Sequence, residues 1–163
     1  MILKIVKYGS SILRTKCSDI VDFNPSLSEL IDNMYETLDE SKGVGLSANQ
    51  VGIPIRLFIV KHNNFNEVFI NPKIIEKSDD ETISNESCLS FPGITCEIKR
   101  PEKIKIDYLS ADFVNRVSEY SGEISRIIQH EYEHIEGKVF IDNLSPIVRK
   151  LLNGKIQKII KKG

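Results

Sequence analysis

The sequence is poor in several residue types that mark specialised classes of protein. Its 163 residues include no tryptophan, three cysteines and three histidines. An odd number of widely spaced cysteines argues against a disulfide-stabilised scaffold, so we expect Cys17 and Cys96 to be small buried apolar residues. No apolar run approaches the roughly 18 residues that span a bilayer, and the N-terminal segment lacks the continuous apolar centre of a secretory signal. These absences favour a cytoplasmic protein, or the mature chain of an organelle.

The sequence also lacks an excess of charge of either sign. Lysine and arginine total 22 against 23 aspartate and glutamate residues, which gives a net charge of −1. We therefore expect the chain as a whole to bind neither DNA nor a membrane surface through its charge. The composition, with 40% hydrophobic and 28% charged residues, is typical of a globular protein. Because no repeat or linker divides the chain, we expect residues 1–163 to form a single domain.

Apolar periodicity predicts helices and strands in separate parts of the chain. Helical spacing predicts a first helix over residues 25–43, capped by Ser26 or Ser28, a second over 121–137 and a last one over 144–162. Short runs rich in β-branched and aromatic residues predict strands. These strands are RLFIV, EVFINPKII, KIKIDYL, FVNRVSEY and KVFID. Because the strands do not alternate with helices, we predict an α+β fold with mixed or antiparallel sheets around the second helix, plus an N-terminal and a C-terminal helix.

The second predicted helix carries two of the three histidines, in the stretch IIQHEYEHIEG. Residues four apart on a helix are separated by about 40° around the axis and about 6 Å along it, so His130 and His134 can bind one metal ion. Glu131 lies about 100° round from His130, where it can contact a water on that ion and act as a general base. Two exposed histidines are the simpler alternative, but neighbouring isoleucines indicate a buried helix, in which unpartnered imidazoles are costly.

A catalytic metal site of this kind needs a third protein ligand and one open position. The candidates are His62 in a polar turn, Glu136 and Asp142 downstream, and Cys88 in NESCLSFPG. Cys88 has polar neighbours and a following Pro-Gly turn, surroundings in which a thiolate can form and bind metal. One thiolate and two imidazoles suit Fe(II), Zn(II), Co(II) or Ni(II) better than Mg(II) or Ca(II). Spacing alone leaves the choice of third ligand open.

Three stretches together resemble the signature motifs of the peptide deformylase family. They are GVGLSANQ (43–50), ESCLS (86–90) and QHEYEH (129–134), and they occur in the family's order. The likeness extends over nearly the whole chain, through INPKI, RPEKIKIDYL and GKVFIDNLSP. Members of this family remove the formyl group from the N-terminal formyl-methionine of new polypeptides. The resemblance therefore implies that residues 1–163 form a deformylase catalytic domain.

The resemblance implies a complete catalytic site. The implied metal ligands are Cys88, His130 and His134. Fe(II) is the typical ion of the family, and Zn(II), Ni(II) or Co(II) can replace it. Glu131 would accept a proton from water and later protonate the leaving amine. Gln50 and the backbone N–H of Leu89 would stabilise the oxyanion of the tetrahedral intermediate.

The resemblance also implies where the substrate binds. The peptide would lie as an added strand between the loop that contains Gly45 and the strand near residues 91–93, and its methionine side chain would enter an apolar pocket. The implied substrate-binding residues are Val44, Gly45, Phe91, Gly93 and Ile127. The expected partner is the formylated N-terminus of a nascent polypeptide, and we expect the protein to be a monomer.

Four residues depart from the family's usual motifs. Ser47 and Asn49 stand in the first motif where alanine and proline are usual, Ser87 replaces a glycine in the second, and Glu133 replaces an aspartate in the third. None of these positions is expected to carry the chemistry. Ser87 adds a side chain beside the ligand loop and can alter its geometry. Glu133 is expected to make a salt bridge or a hydrogen bond.

Basic residues outside the motifs each have two interpretations. Arg100 would contact the substrate backbone or be a surface charge, and Arg126 would border the pocket mouth or be solvated, the latter being favoured. From Arg149 to Gly163 there are six lysine or arginine residues and no acids. These are the solvated end of a helix, where the helix dipole favours cations, or a contact surface for ribosomal RNA.

Two other functions are compatible with a pair of histidine ligands. A zinc peptidase or other amidase would cleave internal peptide bonds and use a third ligand other than Cys88. A non-catalytic domain would close a structural site with four ligands. That alternative would leave Glu131 and Gln50 without a role.

Overall fold

The computed structural model describes residues 1–163 and contains three α-helices and seven β-strands. The helices are α1 (Pro25–Ser41), α2 (Gly122–Ile135) and α3 (Pro146–Lys162). The strands are β1 (Gly45–Ser47), β2 (Leu57–His62), β3 (Phe65–Lys77), β4 (Glu81–Ser87), β5 (Thr95–Pro101), β6 (Lys103–Leu109) and β7 (Asn115–Ser121). The predicted α+β class is confirmed. No helix has both the length and the apolar character needed to cross a bilayer.

The strands form two antiparallel sheets of unequal size. The larger sheet has the order β1-β2-β3-β6-β7, and Leu57 of β2 pairs with Ile70 of β3. β4 and β5 form a separate hairpin, in which Glu86 pairs with Cys96. β1 has a neighbour on one side only, and β4 has no partner except β5. The free edges of β1 and β4 are therefore available to pair with a further strand.

Both faces of the large sheet are covered, because β2 is apolar on both sides. Successive side chains of a strand point to opposite faces. Leu57 and Ile59 accordingly belong to the buried cluster that includes α1, while Phe58 and Val60 belong to the cluster that includes Ile128 of α2. All five side chains are fully buried. This packing fixes α2 against the sheet and so determines which of its side chains can reach the site.

The N-terminus of α1 differs in detail from the prediction. Asn24, not Ser26 or Ser28, is the N-cap, and its side chain accepts a hydrogen bond from the Ser26 N–H at 3.0 Å. Pro25 follows at the first helical position, where its missing N–H costs nothing. Lys42 ends the helix with a left-handed backbone, φ 57°. The chain then turns directly into β1, the first motif.

The β4–β5 hairpin packs on the C-terminal part of the chain and not on the large sheet. Ile98 of β5 is fully buried in a cluster with Phe140 and with Ile156 and Ile159 of α3. The last helix runs without a break through Asn153 and Gly154 to Lys162. Packing of one face of α3 on the hairpin offsets the low helix propensity of glycine.

Residues 138–142, predicted to form a strand, instead enter a 3₁₀ helix over Phe140–Asn143. The Val139 N–H donates to Asp142 Oδ2 at 3.0 Å, which closes a tight turn. Val139, Phe140 and Ile141 are all buried, so the apolar run fills the core without pairing as a strand. A short apolar run alone does not distinguish these outcomes.

Candidate metal centre and active site

Helix α2 carries the histidine motif into the interior. His130 is 8% exposed, Glu131 4% and His134 1%. The helix starts at Gly122, whose φ of 64° suits glycine. Ile128 anchors the helix in the core beneath the large sheet. Because the helix is held on its apolar face, its two histidines and the intervening glutamate occupy fixed positions.

The structure brings Cys88 to the two histidines. Cys88 follows the last residue of β4, and its Sγ lies 3.3 Å from His134 Nε2. One donor atom from each of Cys88, His130 and His134 lies within 4.8 Å of the other two. These are a thiolate and two imidazoles, the donor types that bind iron, zinc, cobalt and nickel in proteins. The three residues could therefore hold a divalent metal ion.

The other candidates for the third ligand are engaged elsewhere. His62 Nε2 lies 3.1 Å from Glu123 Oε2, at the start of α2. Glu136 accepts from Arg56 Nη1 at 2.9 Å. Asp142 is paired with an arginine of the N-terminal segment. Among the candidates raised by the sequence, only Cys88 reaches the histidine pair.

Two further observations fit a cation at this position. Glu131 Oε1 is buried and has no hydrogen-bond partner, which is costly in a folded protein unless a bound group completes the site. Burial lowers the pKa of His134 well below its ordinary value, so its imidazole is neutral, as metal binding requires. Burial also disfavours charge on His130, but Cys88 and Glu86 outweigh it and raise the pKa of His130. The same neighbours would favour a metal cation.

Glu86 orients His130. Its Oε1 lies 2.9 Å from His130 Nδ1, which leaves Nε2 of the imidazole for a metal. Burial would raise the pKa of Glu86, but hydrogen bonds from His130 and Arg100 outweigh it and lower that pKa to about 2. Glu86 is therefore an anion at neutral pH, and its contact with Nδ1 fixes the orientation of the His130 ring.

Arg100 and Arg126, for which surface positions were considered, are both buried. Arg100 donates to Glu86 Oε2 at 2.6 Å and Oε1 at 2.9 Å, and it lies 2.6 Å from Glu133 Oε1. Arg126 donates to Glu86 Oε2 at 2.7 Å. The expectation that Arg126 is solvated is wrong, because the buried carboxylate of Glu86 needs cationic partners. The predicted ion pair of Glu133 is present.

Glu131 directly follows the first histidine of the motif and is buried with it. Burial raises the pKa of its carboxyl group to about 7, against an opposing effect of His130. A base with a pKa near the working pH is well suited to proton transfer. Gly45 makes room for this side chain, because a Cβ at position 45 would lie 2.7 Å from Glu131 Oε2. A larger residue at position 45 would therefore displace the Glu131 side chain.

Gln50 is held with its amide N–H₂ towards the site. Its Oε1 accepts from the Ser47 N–H at 3.0 Å and from Ser47 Oγ at 3.1 Å. Its Nε2 donates to Ser90 Oγ at 3.1 Å and lies 3.6 Å from Cys88 Sγ. The backbone N–H of Leu89, beside Cys88, donates to no other group of the protein. Two donors therefore lie next to Cys88.

The departures from the family's motifs have local explanations. Ser47 orients Gln50, as described, and also donates to Asn49 Oδ1 at 2.7 Å. Asn49 in turn donates to the His134 carbonyl at 2.7 Å, so these two residues tie the first motif to α2. Ser87 is exposed, and its Oγ lies 3.0 Å from Thr95 Oγ1 across the hairpin. Its side chain is therefore engaged across the hairpin.

A cavity of about 340 Å³ opens beside Cys88 and Glu131. Three of the predicted substrate-binding residues line it, namely Val44, Gly45 and Ile127. The other two, Phe91 and Gly93, do not. Phe91 is 1% exposed and stacks on Tyr8 with ring centroids 4.6 Å apart, so it serves the core. In their place, Ser84, Asn85, Glu86 and Ser87 of β4 line the cavity, and no sequence signal had singled out the first two.

Comparison with known proteins decides the family. The family model described as polypeptide deformylase matches residues 2–150. The chain belongs to the polypeptide deformylase family. A peptide deformylase of Karelsulcia muelleri is 49% identical over 149 residues, covering 88% of this chain and 79% of that protein. One from Christiangramia forsetii is 39% identical and covers 99% of this chain and 91% of that protein.

Solved structures agree with the sequence relatives. The crystal structure of peptide deformylase from Thermotoga maritima has a TM-score of 0.87 and 36% identity, covering 90% of this chain and 99% of that one. A Plasmodium falciparum peptide deformylase in complex with an inhibitor has a TM-score of 0.90 and 37% identity, covering 97% and 99%.

The predicted activity is thereby confirmed. The deformylase is a hydrolase that removes the N-formyl group from formyl-methionine at the start of new polypeptides and releases formate. The peptidase and structural-domain alternatives are set aside. The buried Cys88, His130 and His134 are consistent with the metal dependence of deformylases.

Proposed function

We propose that Cys88, His130 and His134 bind the catalytic metal of this deformylase, and that Glu131, Gln50 and Leu89 carry out the chemistry around it. The observation that carries the proposal is the convergence of a buried thiol and two buried imidazoles beside a carboxylate with an unpartnered oxygen. A divalent ion bound there would supply Lewis acidity, polarising the formyl carbonyl and making water more acidic.

Each of the proposed catalytic residues has a defined task. Glu131, with its pKa near 7, accepts a proton from the attacking water and passes it to the amine as the formamide bond breaks. Gln50 Nε2 and the Leu89 N–H donate to the oxygen on which negative charge develops. Ser47 holds the Gln50 amide in the orientation that this needs. The Gln50 amide is thus oriented before the substrate arrives.

The substrate pose follows from the two free strand edges. Gly45 of β1 and residues 84–87 of β4 line the same cavity, and each strand has one edge without a partner. A peptide in extended conformation would pair with these edges by main-chain hydrogen bonds. The methionine side chain would then occupy the cavity near Val44 and Ile127. The strand near residues 91–93 is replaced by β4 in this proposal.

Fe(II) is our proposed native ion. A thiolate and two imidazoles bind Fe(II), and they also bind Zn(II), Co(II) and Ni(II). Because thiolates oxidise in air, the protein should be purified without oxygen. Metal content measured on such protein, together with activity after reconstitution with each ion, would identify the ion that supports the reaction.

The activity test is formate release from a formyl-Met tripeptide, with an unformylated peptide alongside to detect internal cleavage. We expect formate and no internal cleavage. Glu131→Gln should retain the metal and lose activity by roughly 10²- to 10⁴-fold, since it removes the base and leaves the ligands. Internal cleavage without formate release would overturn the proposed function. Full activity of the metal-loaded Glu131→Gln variant would reject Glu131 as the base.

The basic residues of α3 have two roles that an experiment can separate. Their side chains are largely exposed, and only Ile156 and Ile159 of the helix are buried. These basic side chains either are simply exposed to solvent at the end of the helix, or they bind phosphates of ribosomal RNA and hold the enzyme at the ribosome. Co-sedimentation with ribosomes that weakens steeply with salt would support contact, and no co-sedimentation at low salt would leave a solvated helix.

We further propose that the protein is a cytoplasmic monomer in which residues 1–163 form one catalytic domain. Its molecular mass in solution tests whether it is a monomer.

A further inference from the structure

Arg126 is a buried charge that the catalytic scheme does not use. It lies on α2 four residues before His130 and is 8% exposed. Although it borders the cavity, the hydrogen bonds of its guanidinium all run to the β4–β5 hairpin. Nη1 donates to Glu86 Oε2 at 2.7 Å and to the Ile98 carbonyl at 2.8 Å. Nη2 donates to the Thr82 carbonyl at 2.6 Å and to Thr82 Oγ1 at 3.1 Å.

The hairpin needs such an attachment. It is not paired with the large sheet, and a two-stranded hairpin alone is marginally stable. Its buried apolar residues cluster with α3, whereas those of α2 cluster with the large sheet. The contacts between the hairpin and α2 are mainly polar: besides those of Arg126, they include Gln129 Nε2 to the Pro101 carbonyl at 2.9 Å and the Arg100–Glu133 pair at 2.6 Å.

The proposed metal ligands are divided between these two elements. Cys88 directly follows β4 of the hairpin, while His130 and His134 lie on α2. Metal–ligand distances tolerate deviations of only about 0.2 Å, so the hairpin must be held in register with the helix. We propose that Arg126 is a positioning residue that holds the Cys88-bearing hairpin against α2. The proposal rests on the ligand set assigned above.

Arginine suits this task better than lysine would. Its planar guanidinium donates in several fixed directions, and here two of its nitrogens reach four acceptor atoms. A buried ion pair adds little to stability compared with apolar packing, but in some proteins it specifies one arrangement of the parts. Arg126 joins three separate points of the hairpin, at Thr82, Glu86 and Ile98, to a single point of the helix. Loss of Arg126 should therefore weaken the binding of metal by Cys88 under conditions in which the protein remains folded.

The test compares Arg126→Met with the wild-type protein, using Co(II) as the probe. Methionine keeps much of the buried stem and removes the donors. Cobalt affinity is measured by competition with a chromophoric chelator, and the thiolate-to-cobalt absorption band reports whether Cys88 is bound. We expect affinity to fall roughly 10- to 100-fold, as for partners that orient metal ligands, and the thiolate band to weaken at temperatures where the variant remains folded.

Two controls separate this from a general loss of stability. Arg116 on β7 is exposed, so Arg116→Met should leave affinity and band unchanged. Cys88→Ser should abolish the band and thereby assign it. If Cys88→Ser keeps the band, the proposed ligand set fails. If the ligand set holds but Arg126→Met binds Co(II) as tightly as the wild type with an equal band, our inference about Arg126 fails.

Arg126→Lys keeps the inference testable if Arg126→Met does not fold. Lysine retains the charge for Glu86, but a single ammonium cannot reach both Thr82 and Ile98 in the same geometry. We expect a partial rescue, in which cobalt affinity and the thiolate band lie between those of the wild type and of Arg126→Met. If Arg126→Met does not fold, the expected result is that both quantities are lower for Arg126→Lys than for the wild type. Cobalt affinity equal to that of the wild type would show that the positive charge alone suffices, and it would overturn the proposal that Arg126 positions the hairpin through its several hydrogen bonds. This test does not measure formate release. A failure to release formate would therefore contradict the proposed function and not the inference about Arg126.

Discussion

The large sheet and the β4–β5 hairpin hold their parts of the site by different means. The sheet has apolar side chains on both faces and fixes α2 and the first motif through them. The hairpin carries Cys88 and meets α2 through Glu86, Arg100 and Arg126, which are charged and buried. Apolar packing is non-directional and stabilises in proportion to area, whereas hydrogen-bonded ions fix direction and distance. We infer that the sheet supplies stability and that the ion network supplies the geometry of the ligands.

The largest expected effect is on the sheet. Phe69 is fully buried and stacks on Phe58, with ring centroids 4.8 Å apart, and it packs against the tilted ring of Tyr108 at 4.4 Å. Phe69→Ala should lower the free energy of unfolding by about 3–5 kcal/mol, through lost burial and a cavity. Urea unfolding of the metal-free protein measures this change. The variant that remains folded should keep its Co(II) affinity, and a large drop in that affinity would break the contrast between the two regions.

The next effect is on the hairpin. Cys88→Ser should reduce metal affinity and formate release by at least about a hundredfold, because losing a ligand should exceed the loss of an orienting partner. The free energy of unfolding of the metal-free protein should change little, since serine is similar in size. Metal analysis after dialysis, together with urea unfolding, separates the two quantities. If metal content and activity both survive, Cys88 is not a ligand.

The third prediction concerns the contact between the first motif and α2. Gly45→Ala would place a Cβ 2.7 Å from Glu131 Oε2, so the carboxylate must move. Displacement of a catalytic group by about 1 Å can cost a hundredfold in rate, and we expect kcat to fall roughly ten- to a hundredfold with the metal retained.

Gly154→Ala is the matched control for this substitution. No atom lies within 4 Å of a Cβ there, so the change should leave kcat as in the wild type. Adding Glu131→Asp to Gly45→Ala tests the steric cause, because a shorter side chain relieves the clash. The two changes should then be less than additive in their effect on kcat. Strict additivity would show that Gly45 does not act through Glu131.

The smallest effect is expected at the partly exposed ion pair of Asp142 with Arg14, 2.6 Å apart. Burial opposes ionisation of Asp142, but the hydrogen bonds from Arg14 and from the Val139 N–H outweigh it and lower its pKa. A carboxyl group with a lowered pKa stabilises the fold above its unfolded-state pKa, and this contribution is lost as the pH falls through the folded-state value.

Asp142→Asn should therefore cost about 0.5–1 kcal/mol at neutral pH, since the pair is partly exposed. The difference from the wild type should vanish in acid. Urea unfolding over a pH series measures it. A difference that persists unchanged in acid would show that the loss is one of packing and not of charge.

The sequence predicted those parts of the fold whose signal is local. α1 and α2 have long apolar periodicity, and the strands β2, β3 and β6 are rich in β-branched residues, so each could be located. The β4–β5 hairpin could not be located in this way, because only Glu86 of the seven residues of β4 is buried. No apolar alternation marks this strand. The catalytic motifs were found by their spacing and order. Arg100 and Arg126 were not assigned, because the partner that buries them, Glu86, lies on another element.

The free edges of β1 and β4 have a consequence for the range of substrates. A peptide recognised through its backbone N–H and C=O groups presents the same groups whatever its side chains are. Beyond the methionine, the sequence of the new polypeptide should then matter little for binding. One enzyme could in this way serve the N-termini of a whole proteome.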